Sequence, residues 1–119
     1  MKKVLFLFSF LTLFLSTMQA QLSQHQWKDR ILLLFAEYPE DSLLVKQMTH
    51  LEEDTVGLKD RDLVIYQIYN EKGITTNGKD LNSKNAKQLR TKYKVPDGSY
   101  TIILIGKDGG EKLRKINEL

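Results

Sequence analysis

The chain has 119 residues, 18 of them basic and 15 acidic, a formal charge of +3, 41% hydrophobic residues and no cysteine. That length holds one small domain. Without thiols there is no disulfide, no thiolate metal site, and no peroxidase or exchange chemistry through a sulfur nucleophile.

Residues 1–20 read MKKVLFLFSFLTLFLSTMQA. Lys2 and Lys3 form a positive start, and Val4 to Ser16 is an almost wholly apolar run of 13 residues. This is the pattern of a secretory signal peptide, with cleavage expected between Ala20 and Gln21. The run is shorter than the ~20 apolar residues of a spanning helix, so no stable membrane anchor is expected after cleavage. No cysteine follows to accept a lipid. The expected product is exported, periplasmic or secreted. It is a single domain over 21–119 with an ordered core at about 27–116. Without the leader the net charge falls to +1. A near-neutral domain gives no electrostatic reason to bind nucleic acid or anionic membrane.

Residues 21–29 are polar apart from Leu22 and Trp27. They read as a flexible lead-in, with Trp27 as a packing anchor. Ile31 to Ala36 is a continuous apolar run ended by Pro39-Glu40-Asp41-Ser42, as in a strand buried on both faces. Leu44, Met48, Leu51 and Thr55 then recur at helical spacing. Asp41 or Ser42 is the expected cap and Gly57 the terminator. Leu63 to Tyr69 is rich in β-branched and aromatic residues and predicts a second buried strand. Asn70 to Asp80, with Gly73 and Asn77-Gly78, reads as a loop or a small hairpin. Asn82 or Ser83 caps a helix carrying Ala86, Leu89 and Tyr93 on one face, which ends at Val95-Pro96-Asp97-Gly98. Tyr100 to Ile105 predicts a third strand. Lys107-Asp108-Gly109-Gly110 predicts a tight turn, and Glu111 to Ile116 a fourth strand hairpinned to the third. The order βαβαββ makes an α/β mixed sheet, the core of a thioredoxin-like fold.

Three stretches carry a family resemblance: WKDRILLLFAEYPED (27–41), DRDLVIYQI (60–68) and LRTKYKVPDGSYTIILIGKDGGEKLR (89–114). Together they resemble the "domain of unknown function 4174", also called the DUDES domain, whose members include the vertebrate sushi-repeat extracellular proteins. The most specific stretch is the last, where Val-Pro-Asp-Gly and a strand lead into Ile-Gly-Lys-Asp-Gly-Gly. The resemblance implies an exported protein with a thioredoxin- or peroxiredoxin-like fold, and no settled activity. Such folds usually close with a helix after the terminal hairpin. Only Arg114 to Leu119 follows here, too short for a stable helix. The sheet face beside the first helix is therefore expected to be partly bare, inviting a protein partner or a second copy.

Each candidate site has a simpler reading beside it. Pro39, Glu40, Asp41 and Ser42 fall where a thioredoxin carries its redox turn. Ser42 as a nucleophile, or Asp41 as a base, would need a base within hydrogen-bond reach. His25 lies in the lead-in and His50 two helical turns onward. A helix cap is the favoured reading. Glu40 and Asp41 also satisfy the helix dipole and would repel an anion. The loop Gly106 to Gly110 lacks the Ser/Thr and following helix of a P-loop and reads as a hairpin, with recognition through Lys107 and Asp108 the minority view. Glu52-Glu53-Asp54 splay around a helix, and the two histidines lack metal-ligand spacing. No metal or cofactor is expected. Lys84, Lys87, Arg90 and Lys94 form a basic helix face, read as solvated or as a surface for an acidic partner or glycan. Arg90 is its bidentate donor. The overall reading is a redox-inactive binding or interaction module. The alternative is a peroxiredoxin-like antioxidant enzyme, implied by the resemblance, working without a thiol.

Overall fold

The computed structural model describes residues 24–70, 73–75, 80–81 and 83–118. The expected leader and its Ala20–Gln21 cut, the Asn77–Gly78 turn and the Asn82 cap lie outside those residues.

The apolar run at 31–36 forms the last five residues of strand β1 (Arg30–Phe35) and the residue after it, and every residue from Ile31 to Ala36 is buried. Successive side chains of a strand point to opposite faces. Ile31, Leu33 and Phe35 therefore enter one core layer, while Leu32, Leu34 and Ala36 enter the other. Helix α1 (Ser42–Glu52) and the short α2 (Thr55–Asp60) follow, then β2 (Leu63–Ile68), parallel to β1. Two short strands, β3 (Gly73–Thr75) and β4 (Asp80–Leu81), extend the sheet beyond β2. Helix α3 (Ser83–Lys92) leads to β5 (Thr101–Ile105), antiparallel to β1. β6 (Glu111–Ile116) then returns along β5. The sheet order is β4-β3-β2-β1-β5-β6. Its β2-β1-β5-β6 portion is the predicted mixed core, and the Asn70–Asp80 segment takes the hairpin alternative.

The two layers separate cleanly. Leu44 and the flank of α1 and α2 pack on Leu32, Leu34, Ile65, Tyr69, Tyr100 and Ile102. Ala86 and Leu89 of α3 pack on Ile31, Leu33, Phe35, Tyr66, Ile68, Ile103 and Ile105.

Three local expectations need correction. The first helix does not run through Thr55 to Gly57. It ends at Glu52, and Asp54 starts α2 by accepting a hydrogen bond from the Gly57 amide at 3.0 Å. Gly57 therefore sits inside a helix rather than ending one, because any Cβ there would collide with the Asp54 carboxylate. Trp27 is not a packing anchor, for the residue is 72% exposed and its φ is +71°. Nor does the lead-in read as free chain from Gln24 onward. The Trp27 amide donates to the Lys107 carbonyl, and Gln26 Nε2 donates to the Asp108 carbonyl at 3.1 Å. Backbone contacts hold this segment, so the indole is free to face solvent.

Among the described residues no helix follows β6. Asn117, at φ +57°, folds back instead. Its side-chain oxygen accepts from the Tyr100 amide at 3.0 Å, and its own amide donates to the Tyr100 carbonyl. Leu104 and Leu113 are cross-strand partners on the α1 side of the sheet. Leu104 is only half-buried there, and Leu113 is 45% exposed.

The β2–β3 pairing gives a sharp test. A Cβ on Gly73 would lie 2.6 Å from the Gln67 carbonyl oxygen and 3.0 Å from Ile68 Cα, both backbone atoms that cannot step aside. Gly73→Ala is expected to lower the stability in urea by about 1–3 kcal/mol. An unchanged midpoint would contradict this register.

Candidate functional site

Ligands of open α/β sheets gather at the carboxyl ends of the strands. Here that rim is made by the turn after β1. Asp41 caps α1: its Oδ1 accepts from the Leu43 amide at 3.0 Å and the Leu44 amide at 3.1 Å. The carboxylate thus occupies the amides that an anionic ligand would use. Ser42 is exposed, with no hydrogen bond to a histidine. His50 is in the last turn of α1, about 12 Å further along the axis. Neither histidine bonds to Ser42, and Pro39, Glu40, Asp41 and Ser42 together make a capped, acidic turn. Tyr38 is exposed beside it, its phenol pushed up by a hydrogen bond to Glu37 and by the charge of that carboxylate.

Arg90 reaches the same rim from below. The expected basic face placed it beside Lys84, Lys87 and Lys94, but its side chain turns inward. Nη2 donates to the Ala36 carbonyl at 2.7 Å, and the guanidinium lies 5.8 Å from the centre of the Phe35 ring. Burial lowers its pKa from the ordinary value, while the charges of Asp97 and Glu37 oppose that fall. No carboxylate comes within ion-pair distance among the described residues, and its Nε is buried without a partner. A wide guanidinium over a ring explains the placement, since Arg buries its stem and stacks well on aromatic faces. Arg90 stands four residues after buried Ala86 and so borders the apolar stripe of α3; grouping it by charge with Lys84, Lys87 and Lys94 put it outside. Lys87 and Lys94 stay exposed. The Tyr100 hydroxyl, on the α1 side, is likewise buried without a partner, and burial followed by the Asp41 charge raises its pKa.

The Gly106–Gly110 loop is a hairpin turn. The Gly106 amide donates to the Gly110 carbonyl at 2.9 Å, and Gly109 sits at φ +86°. Lys107 pairs with Asp62 at 2.8 Å and Asp108 with Lys112 at 2.7 Å, and Asp108 Oδ1 accepts from the Gly110 amide. Both proposed recognition residues are engaged in holding the turn. Glu52, Glu53 and Asp54 are exposed, and no group of three or more metal-ligating side chains occurs among the described residues. A crevice of about 280 Å³ opens between α1, α2, β2 and β3, walled by Met48, Leu51, Leu58 and Ile65 with Gln67 and Thr75 at its polar side.

One constellation was absent from the sequence reading. His25 is not idle in the lead-in: Nδ1 lies 2.8 Å from Asp29 Oδ2 and Nε2 lies 2.9 Å from the Tyr66 hydroxyl. The spacing of His25 and Asp29 is visible in the sequence, whereas Tyr66 is 41 residues away.

These features meet three comparisons. The family model "Domain of unknown function (DUF4174)" matches residues 21–119. The chain belongs to this family. No curated protein matches it. Among solved structures it is similar to reduced 2-Cys peroxiredoxin of Plasmodium vivax, with a TM-score of 0.60 and 16% identity over 82% of this chain and 71% of that one. At that identity the likeness speaks for the fold, which is thioredoxin-like. The DUF4174 chain has no cysteine at all, so it carries no thiol nucleophile. The rim after β1 holds a helix cap, Asp41, and an arginine, Arg90, whose guanidinium lies over the Phe35 ring. No helix among the described residues is long and apolar enough to cross a membrane.

Two outcomes follow from the site. Asp41→Ala removes a two-amide cap and is expected to cost about 1 kcal/mol, read from chemical denaturation; an unchanged midpoint would show the cap to be dispensable. At the hairpin, hydrogen bonds and charge from Lys107 and Lys112 hold the Asp62 and Asp108 carboxyls below their usual values. Depressed carboxylates stabilise above their unfolded pKa, and the gain disappears as pH falls through the folded values. Asp62→Asn with Asp108→Asn is therefore expected to reduce acid sensitivity below about pH 4, an effect weakened by salt because both groups are exposed. An identical acid unfolding curve would count against it.

Proposed function

We propose that this DUF4174 chain is an exported binding domain without thiol redox chemistry, acting through its surface and not through a thioredoxin-type reaction centre. Supporting export is the positive-then-apolar pattern of residues 1–20. The observation that carries the binding reading is Leu113, 45% exposed on the sheet face where α1 covers only the neighbouring strands. With half-buried Leu104 beside it, this is apolar surface on a rigid sheet, the kind of element on which a protein partner docks. The antioxidant alternative, peroxidase chemistry without a thiol, has less support at the rim: Ser42 lacks a base, and the helix amides are already taken by Asp41.

Native mass spectrometry of the protein recovered from the extracytoplasmic fraction of its own host tests both parts. The expected spectrum has a chain beginning at Gln21 in a complex heavier than one copy, and Leu113→Glu reduces it to the lone chain. A wild-type protein that carries the leader contradicts export. One that is always a single unliganded copy contradicts the binding role.

A further inference from the structure

Asp29, His25 and Tyr66 form a hydrogen-bonded line that the binding function does not use. Asp29 Oδ2 lies 2.8 Å from His25 Nδ1, and His25 Nε2 lies 2.9 Å from the Tyr66 hydroxyl. The partners assign the protons. An ionised carboxylate only accepts, so Nδ1 carries the hydrogen and Nε2 presents a lone pair. The Tyr66 hydroxyl must then donate to it. Burial raises the Tyr66 pKa, with a hydrogen bond from Gln24 opposing it, so the side chain is a phenol at neutral pH. The two rings meet edge to face, 5.9 Å apart at 81°.

We infer that Tyr66 is a redox-active tyrosine, a site of one-electron oxidation in which His25 takes the phenol proton. The oxidant is a one-electron acceptor such as an oxygen-centred radical, the carbonate radical anion being an example of the class. One electron leaves the phenol for the oxidant, which gains one unit of negative charge, the carbonate radical anion becoming carbonate. The Tyr66 O–H bond breaks and a His25 Nε2–H bond forms. The products are a neutral tyrosyl radical and an imidazolium held by the Asp29 carboxylate. The carboxylate fixes the imidazole tautomer and stabilises its charge, as the acid of a catalytic triad does.

Burial favours this role. Tyr66 is 2% exposed, which shields a radical from coupling to a second chain, while the His25 side chain is 14% exposed and the Asp29 side chain 31%. The other buried tyrosines lack a base. Tyr69 donates to the neutral Gln67 amide, and the Tyr100 hydroxyl has no partner. Tyr38 bonds a carboxylate but is 55% exposed.

The test uses photogenerated ruthenium(III) tris-bipyridine on protein purified from its host, with Trp27→Phe and Tyr38→Phe as background to remove the exposed indole and the exposed phenol. Electron paramagnetic resonance of samples frozen after the flash is expected to show one neutral tyrosyl radical, absent in Tyr66→Phe and retained in Tyr93→Phe. His25→Gln keeps polarity but removes the base, and is expected to slow radical formation roughly a hundredfold. A signal that survives Tyr66→Phe, or an unchanged rate in His25→Gln, overturns the inference. Where a variant misfolds by circular dichroism, the parent protein decides: equal formation rates in H2O and D2O would overturn it, and a slower rate in D2O supports it.

Discussion

Everything in this molecule depends on β1 being buried on both faces. A strand of six residues with five of them buried can exist only if cover arrives from both sides. The α1–α2 pair supplies one side and α3 the other. The strand also pairs on both edges, with β2 and with β5, so its backbone polar groups are satisfied away from water. With no disulfide available, this doubly covered strand is the main cohesive element of a domain that must hold by packing alone.

The same strand sets the chemistry at the rim. Its last residue, Phe35, and Ala36 just after it are fixed, so their ring and carbonyl become a platform, and Arg90 lies over the one while donating to the other. A guanidinium used in this way is committed to the fold. Directly above, Asp41 satisfies two helix amides. A helix N-terminus whose amides were free would be a place for a charged or reactive group to draw stabilisation. Here those amides are taken by Asp41, and Arg90 is held by the Ala36 carbonyl, so both groups at this rim serve structural contacts.

How much of this is legible in the sequence depends on the range of the interaction. The buried strands, the Asp41 cap and the 106–110 hairpin rest on local rules of periodicity, capping and turn chemistry, and the sequence shows them. The break at Glu53-Asp54 is local too, but its signal is weak, because a glycine inside a short helix is tolerated when a cap must approach it. Arg90 and Trp27 are misjudged for one reason. Residue type predicts preference for burial, while the final placement of a long or large side chain is decided by what the tertiary fold sets beside it. The Phe35 ring draws the charged residue in, and the Lys107 carbonyl fixes the backbone of the aromatic one outside. His25 meets Tyr66 across 41 residues, a distance at which no pattern in one sequence speaks.

The lead-in shows how cover and chemistry are joined. α3 spans one face of the sheet, and the turn at Gln24–Lys28 lies on the same side, bringing the His25 ring against Tyr66 in that layer. Burying a tyrosine hydroxyl there without a partner would cost a few kcal/mol at most, and a single imidazole removes that cost. An amide or a hydroxyl would serve as well for satisfaction alone. An imidazole backed by a carboxylate is different, because it can take the proton as well as the hydrogen bond. The segment that completes the core on this face therefore also places a proton acceptor 2.9 Å from one of its buried phenols, and the stability of the strap and the reactivity of Tyr66 rest on the same contact.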